Sequence, residues 1–361
     1  MAALLQPNQI GIREDLADYI AVVDAKSTPF VSMAPKGKDL GNMRFDWQCD
    51  NYAAPQLLGV VDGTDLTSPV TVTQSGTTPF AVSAAVTGNL NSTNPVPNRA
   101  RLFNYAQVFR RDLRVGFIAQ TQNVAGVSDE VANGIAKKLV ELKRDMEATF
   151  MCTNQAAVVD DGTNAYLTSS MGNWLTGTPA AATAGLPPTN FAPASGSCPV
   201  IASSSLAEAN VQAVLTAIYG ATGVFRDYDL ICGTTLKRAF TSLTQPVSSG
   251  SNANVYSAIR TFNADISDST YKSSVDIFDG DFGRLALHPT TFIGNKTANA
   301  LVASAYKGYV LPMDMCEIRY AKMPEVQELP NNGGGPTRIV QAIAGLVVKN
   351  PLGFGMFNGA S

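Results

Sequence analysis

Histidine is nearly absent from this chain, which has one, His288, among 361 residues. A zinc site built on several histidines is therefore excluded, and a Ser-His or Cys-His nucleophile pair would have to use this single side chain. No GxSxG motif surrounds a serine, and the GNKT segment at 294–297 lacks the glycine spacing of a phosphate-binding loop. We expect no enzymatic activity, no catalytic residue, no cofactor and no bound metal. The alternative is an unrecognised hydrolase that uses a serine or an aspartate.

Cysteines, long apolar runs and excess charge are also scarce. The five cysteines are far apart, odd in number and without CxxC spacing, which predicts buried, reduced thiols. No apolar run of about eighteen residues occurs, so the sequence predicts no membrane span and no membrane partner. A net charge of -3 provides no basic stripe, which argues against sequence-specific nucleic-acid binding. A surface that merely faces DNA without binding it is compatible with this charge.

The strongest helical pattern runs from Val127 to Cys152. Apolar residues recur on one face at steps of three or four: Val131, Ile135, Leu139, Leu142, Met146 and Phe150. Ser128 is the predicted N-cap, and the acidic residues that follow it lie in the first turn, where the helix dipole favours them. A helix of this length reaches roughly 35 Å, which predicts a spine for the fold.

An alternating pattern precedes this helix. Apolar and polar residues alternate over 43–49 and again over 80–86, with a loop rich in Gly, Asp, Thr and Pro between them. This pattern predicts two extended arms around a turn. A two-stranded ribbon alone is marginally stable in water. The ribbon could fold back on its own sheet, or it could complete its burial against a neighbouring copy.

Charged side chains are missing from Gly162 to Ala207, where small residues and proline dominate. Such a segment could be a flexible linker between domains. Large side chains within it argue instead for docking, because a solvated linker would expose them to water: Tyr166, Trp174, Leu175 and Phe191.

The second half of the chain alternates between helices and strands. The periodicity predicts helices over 206–219 and 234–243, a buried strand over 229–232, a hairpin over 275–287 around a turn at 280–283, and a late strand over 338–349. The first of these helices presents Val211, Val214, Leu215 and Ile218 on one face. Together they predict an α+β arrangement with helices against a central sheet.

Five segments, in this order, resemble motifs of the major capsid proteins of tailed bacteriophages with the HK97-like fold. They are TPFVSMAPKGK (28–38), RFDWQCDNYAAP (44–55), RLFNYAQVFRRDLRV (101–115), AKKLVELKRDMEATF (136–150) and VDIFDGDFGRLALHP (275–289). The resemblance implies an α+β fold with an N-terminal arm (1–40), an extended β-hairpin called the E-loop (41–98) and a peripheral domain (99–204). That domain would carry the spine helix (127–152) and the uncharged excursion (162–204). An axial domain (205–311) and return strands of the peripheral domain (312–361) would follow.

The same resemblance implies a structural protein that self-assembles, through hexamers and pentamers, into the icosahedral head shell of a phage virion around its DNA. Implied partners are a separate scaffolding protein, a portal and a decoration protein, with assembly in the host bacterial cytoplasm. The expected inter-subunit contacts lie in the N-terminal arm and the E-loop: Leu16, Tyr19, Phe45, Trp47, Tyr52, Phe80 and Val82. The alternative within the same fold is the shell protein of a bacterial nanocompartment, similar to encapsulin.

Overall fold

The computed structural model describes residues 22, 24, 26–52, 99–122, 126–180, 183–194, 196–201, 206–243, 275–298 and 300–359. The helices are α1 (Pro29–Met33), α2 (Phe117–Thr121), α3 (Glu130–Phe150), α4 (Met171–Thr176), α5 (Glu208–Thr222) and α6 (Thr234–Ser242). The strands are β1 (Arg44–Cys49), β2 (Ala100–Tyr105), β3 (Gln107–Arg114), β4 (Arg226–Cys232), β5 (Ile277–Gly280), β6 (Gly283–Pro289), β7 (Gly294–Thr297), β8 (Ala300–Ala303), β9 (Lys307–Leu311), β10 (Cys316–Leu329), β11 (Thr337–Val348) and β12 (Gly355–Asn358).

The spine helix α3 packs on a three-stranded antiparallel sheet in the order β10-β11-β3. Leu142, Met146 and Phe150 of α3 are buried in the core against β11, as the apolar periodicity predicts. Leu139 packs partly against the same core, whereas Val131 and Ile135 are half-buried. The C-terminal half of the helix therefore carries most of its core packing.

A five-stranded mixed sheet, in the order β12-β9-β4-β6-β5, forms the second core together with α5 and α6. The four apolar residues predicted to face the core from α5 are the ones buried there. Gly223 ends this helix in the left-handed region at φ 66°, a conformation that glycine adopts without steric strain. The predicted strand, second helix and hairpin of this half are confirmed as β4, α6 and the pair β5-β6.

The uncharged excursion docks on the body of the protein. Trp174, Leu175 and Phe191 are buried in the same core as the spine helix, and α4 forms within the excursion. Gly172 donates its backbone N–H to the carbonyl of Cys152 at 3.1 Å, which fixes α4 to the end of α3. The flexible-linker interpretation is therefore wrong for the described part of this segment.

The last segment divides between the two sheets. β10 and β11 lie beside β3, whereas β12 pairs with β9 in the five-stranded sheet. Within the predicted return segment 312–361, Gly355–Asn358 therefore joins the five-stranded sheet. Phe357 of β12 is buried against Phe240 of α6, and this apolar contact explains why the chain crosses back.

The start of the spine helix also differs from the sequence-based expectation. The helix begins at Glu130 with Asp129 as its N-cap, one residue later than the predicted cap Ser128. The Asp129 carboxylate accepts hydrogen bonds from the backbone N–H groups of Val131 at 2.8 Å and Ala132 at 3.2 Å. Ser and Asp are both strong caps, so residue preference alone could not separate two adjacent candidates.

Replacement of this cap tests the assignment. Asp129→Ala leaves two helical N–H groups without their acceptor and is expected to reduce the free energy of unfolding by about 0.5–2 kcal/mol. Ser128→Ala, at the neighbouring position, is expected to change it by less than about 0.5 kcal/mol. Urea denaturation followed by circular dichroism measures both. The reverse order of effects would contradict the observed cap.

Candidate inter-subunit surfaces

The ribbon of β1 and β2 carries two of the predicted contact residues, and both pack within their own chain. Phe45 is only 6% exposed and lies with Ala106 and Val347 in a small apolar cluster. Trp47 stacks on Phe45 and also contacts Trp174, with ring centroids 6.0 and 5.5 Å apart. The burial of Phe45 leaves little of its surface for a neighbouring subunit.

Polar contacts reinforce this intramolecular role. The Trp47 indole donates its N–H to the carbonyl of Val348 at 3.0 Å, and the Cys49 thiol donates to the carbonyl of Lys349. β1 pairs in register with β2, with Arg44 opposite Tyr105 and Cys49 opposite Ala100. The predicted partner arm at 80–86 lies outside the described residues. The base of the ribbon thus belongs to the subunit core.

Tyr52 marks the point where the described ribbon ends. Its side chain is 100% exposed, so its aromatic surface is available to a partner. Asp50 and Arg99 form a salt bridge of 2.9 Å across the same end of the ribbon. Residues 53–98, which include the predicted contacts Phe80 and Val82, lie outside the described ranges, as do Leu16 and Tyr19 of the arm.

The N-terminal arm meets the spine helix at Glu147. The Glu147 carboxylate accepts hydrogen bonds from the backbone N–H groups of Phe30 at 3.0 Å and Val31 at 2.8 Å. Burial raises the pKa of Glu147 to about 7, an effect that the two hydrogen bonds partly oppose. The helical periodicity places position 147 beside Met146 on the buried face. The sequence pattern nevertheless did not single it out, because a glutamate is ordinarily expected on the solvated face of a helix.

The arm then runs along the edge of β10. Ile318 donates its backbone N–H to the carbonyl of Pro35 at 3.0 Å, and Gly37 donates to the carbonyl of Ile318 at 2.9 Å. Leu40 donates to the carbonyl of Tyr320 at 2.9 Å. These bonds occupy the first half of an edge strand that would otherwise leave its backbone groups open.

Exposed apolar side chains form further surfaces that no sequence pattern singled out. Phe117 and Ile118 are exposed on α2, a helix with no buried residue. Val224 and Phe225 are exposed directly before β4. Large exposed apolar groups on a folded subunit are typical of protein contact surfaces when they cluster.

The structure provides no arrangement of catalytic groups around His288 within its described part. The Nε2 atom of His288 lies 2.9 Å from Oδ1 of Asp229, and the two residues occupy the neighbouring parallel strands β6 and β4. A serine or cysteine is not among the hydrogen-bond partners of this histidine in the described ranges. The pair explains His288 as a cross-strand polar contact.

The acidic turn at Asp160 and Asp161 is likewise accounted for by local hydrogen bonds. Asp161 accepts hydrogen bonds from the backbone N–H and the side-chain amide of Asn164 and from the backbone N–H of Thr163, which together lower the pKa of its carboxyl to about 2. Within the described ranges, no group of three or more His, Cys, Asp or Glu side chains is placed to hold a metal ion. Among the same residues, no helix has both the length and the apolar character to cross a membrane.

The cysteines are unpaired in the structure. Cys49, Cys152, Cys232 and Cys316 are buried, and Cys198 is half-buried. Burial raises the pKa values of the Cys232 and Cys316 thiols to about 12, which keeps both protonated at neutral pH. The burial that the sequence predicts for the thiols is thereby confirmed for four of the five.

Comparisons with known proteins give a family model and a curated relative. The family model of the SU10 major capsid protein matches residues 5–361. The major capsid protein of Escherichia phage Phieco32 is 28% identical over 163 residues, which cover 45% of this chain and 39% of that protein. This chain therefore aligns with less than half of that curated relative's length.

Solved structures extend the likeness to the whole fold. The capsid of Cyanophage P-SCSP1u superposes with a TM-score of 0.53 at 10% identity. The aligned region covers 99% of this chain and 97% of the cyanophage chain. The capsid of Cyanophage A-1(L) gives 0.52 at 13% identity and covers 96% of both chains. These structures share the HK97-like arrangement, which confirms the predicted α+β fold class. With its family model matched over 5–361, the chain belongs to the SU10 major capsid protein family.

Proposed function

We propose that this chain is the subunit that assembles into the icosahedral head shell of a tailed bacteriophage and encloses its double-stranded DNA. The family match over residues 5–361 is the observation that carries the proposal, because it spans nearly the whole chain. It favours a phage shell over the nanocompartment alternative. The arrangement around His288 offers no support for a hydrolase.

The geometry fits a subunit that closes its own core and keeps separate surfaces for its neighbours. Phe45 and Trp47 pack inside the chain, whereas Tyr52 at the ribbon end and the apolar side chains of α2 are exposed. Closed shells need heterologous contacts that repeat from copy to copy. Individually weak contacts suffice, because each subunit makes several at once.

We also propose a division of the chain into the domains of a shell subunit. Residues 1–40 would form the N-terminal arm and 41–98 the E-loop, with 99–204 as the peripheral domain and 205–311 as the axial domain. Residues 312–361 would return to the peripheral domain, with Gly355–Asn358 paired to β9 of the five-stranded sheet. Two apolar clusters support two domains: one contains the spine helix and one face of β4 and β9, and the other contains α5, α6 and the opposite face of those strands.

Shell assembly also defines the partners and the place of action that we propose. Copies of the chain would form hexamers and pentamers, with a separate scaffolding protein, a portal and a decoration protein as further partners. The packaged DNA would be held without sequence-specific contacts, because the net charge of -3 provides no general phosphate-binding surface. The subunit would assemble in the cytoplasm of the host bacterium and remain in the virion.

Expression of the full chain in bacteria, alone and together with the candidate scaffolding protein of the same phage, tests the proposal. We expect closed or open shells tens of nanometres across, because self-association is the proposed activity. Negative-stain microscopy and light scattering on the same sample measure the result. A folded monomer in both preparations would contradict the proposal.

Tyr52→Ala provides a matched variant for the contact surface. The side chain is fully exposed, so we expect the free energy of unfolding of the subunit to change by less than about 0.5 kcal/mol. The yield of shells is expected to fall, because truncation of an aromatic residue in an interface removes contact area. Normal shell yield from this variant would remove Tyr52 from the proposed contacts.

A further inference from the structure

Glu147 is a buried carboxylate in the middle of a long helix. Its side chain is 0% exposed, on the same face of α3 as Leu142, Met146 and Phe150. Ionised carboxylates are strongly disfavoured at such positions unless they are paired or well hydrogen-bonded. The presence of this group in the core therefore needs a structural explanation.

The N-terminal arm supplies the hydrogen bonds. Helix α1 begins after Thr28, whose side chain makes no capping hydrogen bond, so the first N–H groups of the helix need another acceptor. The two oxygens of Glu147 take this place, one for Phe30 and one for Val31. The Glu147 carboxylate thus accepts both hydrogen bonds that join α1 to the spine helix.

Phe30 seals the contact from water. Its side chain is fully buried, and its ring packs edge-on against Phe150 with centroids 6.1 Å apart. Phe150 in turn contacts Phe109 of β3 at 5.9 Å. Lifting α1 from the spine helix would therefore expose both the carboxylate and an aromatic cluster.

Charged side chains around this contact are engaged elsewhere or exposed. On the spine helix, the Arg144 guanidinium lies 4.0 Å from the Asp24 carboxylate and over the ring of Phe292. Asp145 of the same helix pairs with Arg111. The side chain of Lys143 is exposed. On the arm, Lys26 is exposed and Lys36 pairs with Asp39. On the packed strands, Arg110 pairs with Asp112 and Arg338 with Glu328. Among the described residues, the carboxylate of Glu147 has hydrogen bonds from the arm but no cation.

We propose that Glu147 and α1 form a pH-dependent latch, in which protonation of Glu147 favours the docked N-terminal arm and ionisation favours its release.

The direction follows from the two environments of the carboxyl group. Burial under the docked arm raises the pKa of Glu147 from its ordinary value of 4.5 to about 7, more than the two hydrogen bonds lower it. When the arm lifts, water reaches the carboxylate and its pKa returns towards the ordinary value. The docked state therefore binds the proton more tightly than the open state. Docking is strongest at pH values below the ordinary pKa and weakens as pH rises through about 7.

Hydrogen exchange of the full-length, unassembled subunit between pH 5 and 9 tests the latch. The readout is the protection factor of peptides that cover residues 26–36, corrected for the chemical exchange rate at each pH. For the wild type we expect protection to decrease with rising pH by roughly 10²-fold, since the pKa shift sets the change in the opening equilibrium. Peptides from β11 serve as an internal reference for global stability.

Glu147→Gln removes the ionisation while keeping the side-chain size. We expect the arm peptides of this variant to show protection that does not depend on pH over the same range. Glu141→Gln is the matched control on the same helix, because Glu141 is half-buried and contacts Lys138 rather than the arm. Glu141→Gln should retain the wild-type pH dependence.

Two results would overturn the latch. Wild-type arm protection that is constant or increases with pH would contradict the direction. A pH dependence that persists in Glu147→Gln would assign the effect to another group. The wild-type profile alone decides the first point, so the proposal remains testable even if the glutamine variant folds poorly. Both measurements use unassembled subunits, so a failure of the latch is distinct from a failure to form shells.

Discussion

Trp174→Ala is expected to destabilise the folded subunit by about 3–5 kcal/mol, the range for removal of a large aromatic residue from a core. Trp174 is 0% exposed and packs against Trp47 in the main apolar core. Its removal leaves a cavity between α4 and the base of the ribbon. Urea denaturation monitored by circular dichroism measures the loss of stability. Tryptophan emission provides a second signal, because the chain has two tryptophans.

Val200→Ala is the control from the same uncharged excursion. Val200 is 70% exposed, so its truncation should change the free energy of unfolding by less than about 0.5 kcal/mol. Equal, small effects of the two substitutions would mean that the excursion does not pack on the body in solution. A large effect of Trp174→Ala alone establishes docking.

Gly294→Ala is the second substitution with a large expected effect. A Cβ atom at this buried position would lie 2.2 Å from the carbonyl oxygen of Val302 on the partner strand β8. The carbonyl of Gly294 also accepts the backbone N–H of Thr153 at 2.9 Å, just beyond the end of the spine helix. The methyl group would have to displace the backbone of β8. We expect a loss of about 1–3 kcal/mol or more, measured by urea denaturation.

Gly220→Ala makes the same chemical change where space is open. Gly220 is exposed within α5, and nothing lies within 4 Å of an added Cβ. Alanine is the better helix former, so this variant should be more stable than the wild type by about 0.5–1 kcal/mol. Opposite signs at the two glycines are the expected result. Stabilisation at Gly294 as well would show that the β7-β8 contact is not formed as described.

Much of the fold could be predicted from periodicity because burial in this protein follows simple spacing. The four core residues of α5 and the paired strands β5 and β6 came directly from apolar steps of three to four and of two. The alternation over 43–49 correctly predicted a strand with Phe45 and Cys49 on its buried side. Such local patterns predict the structure correctly because each agrees with the tertiary contacts of its residues.

Other features depend on partners that are distant in sequence and leave little local signal. The register between Arg44–Cys49 and Ala100–Tyr105 joins segments that residues 50–99 separate in the sequence. Burial of Phe45 within its own chain follows from that pairing, whereas the alternation alone fitted an inter-subunit face equally well. Glu147 is buried because α1 donates two N–H groups to it across more than a hundred residues. The only sequence signal for this burial was the position of a charged residue on the apolar face of the helix.

The strand order has a consequence for how the subunit is made. β3 is paired with β11, and β9 is paired with β12, so the final strands of the chain contribute to both main sheets. A nascent chain that has not yet reached Thr337 lacks both strands, so neither sheet can be completed at that stage. Long-range pairing of this kind also slows folding relative to local contacts. A polypeptide terminated before Thr337 would therefore lack strands of both sheets, and could not present a finished surface to a growing particle.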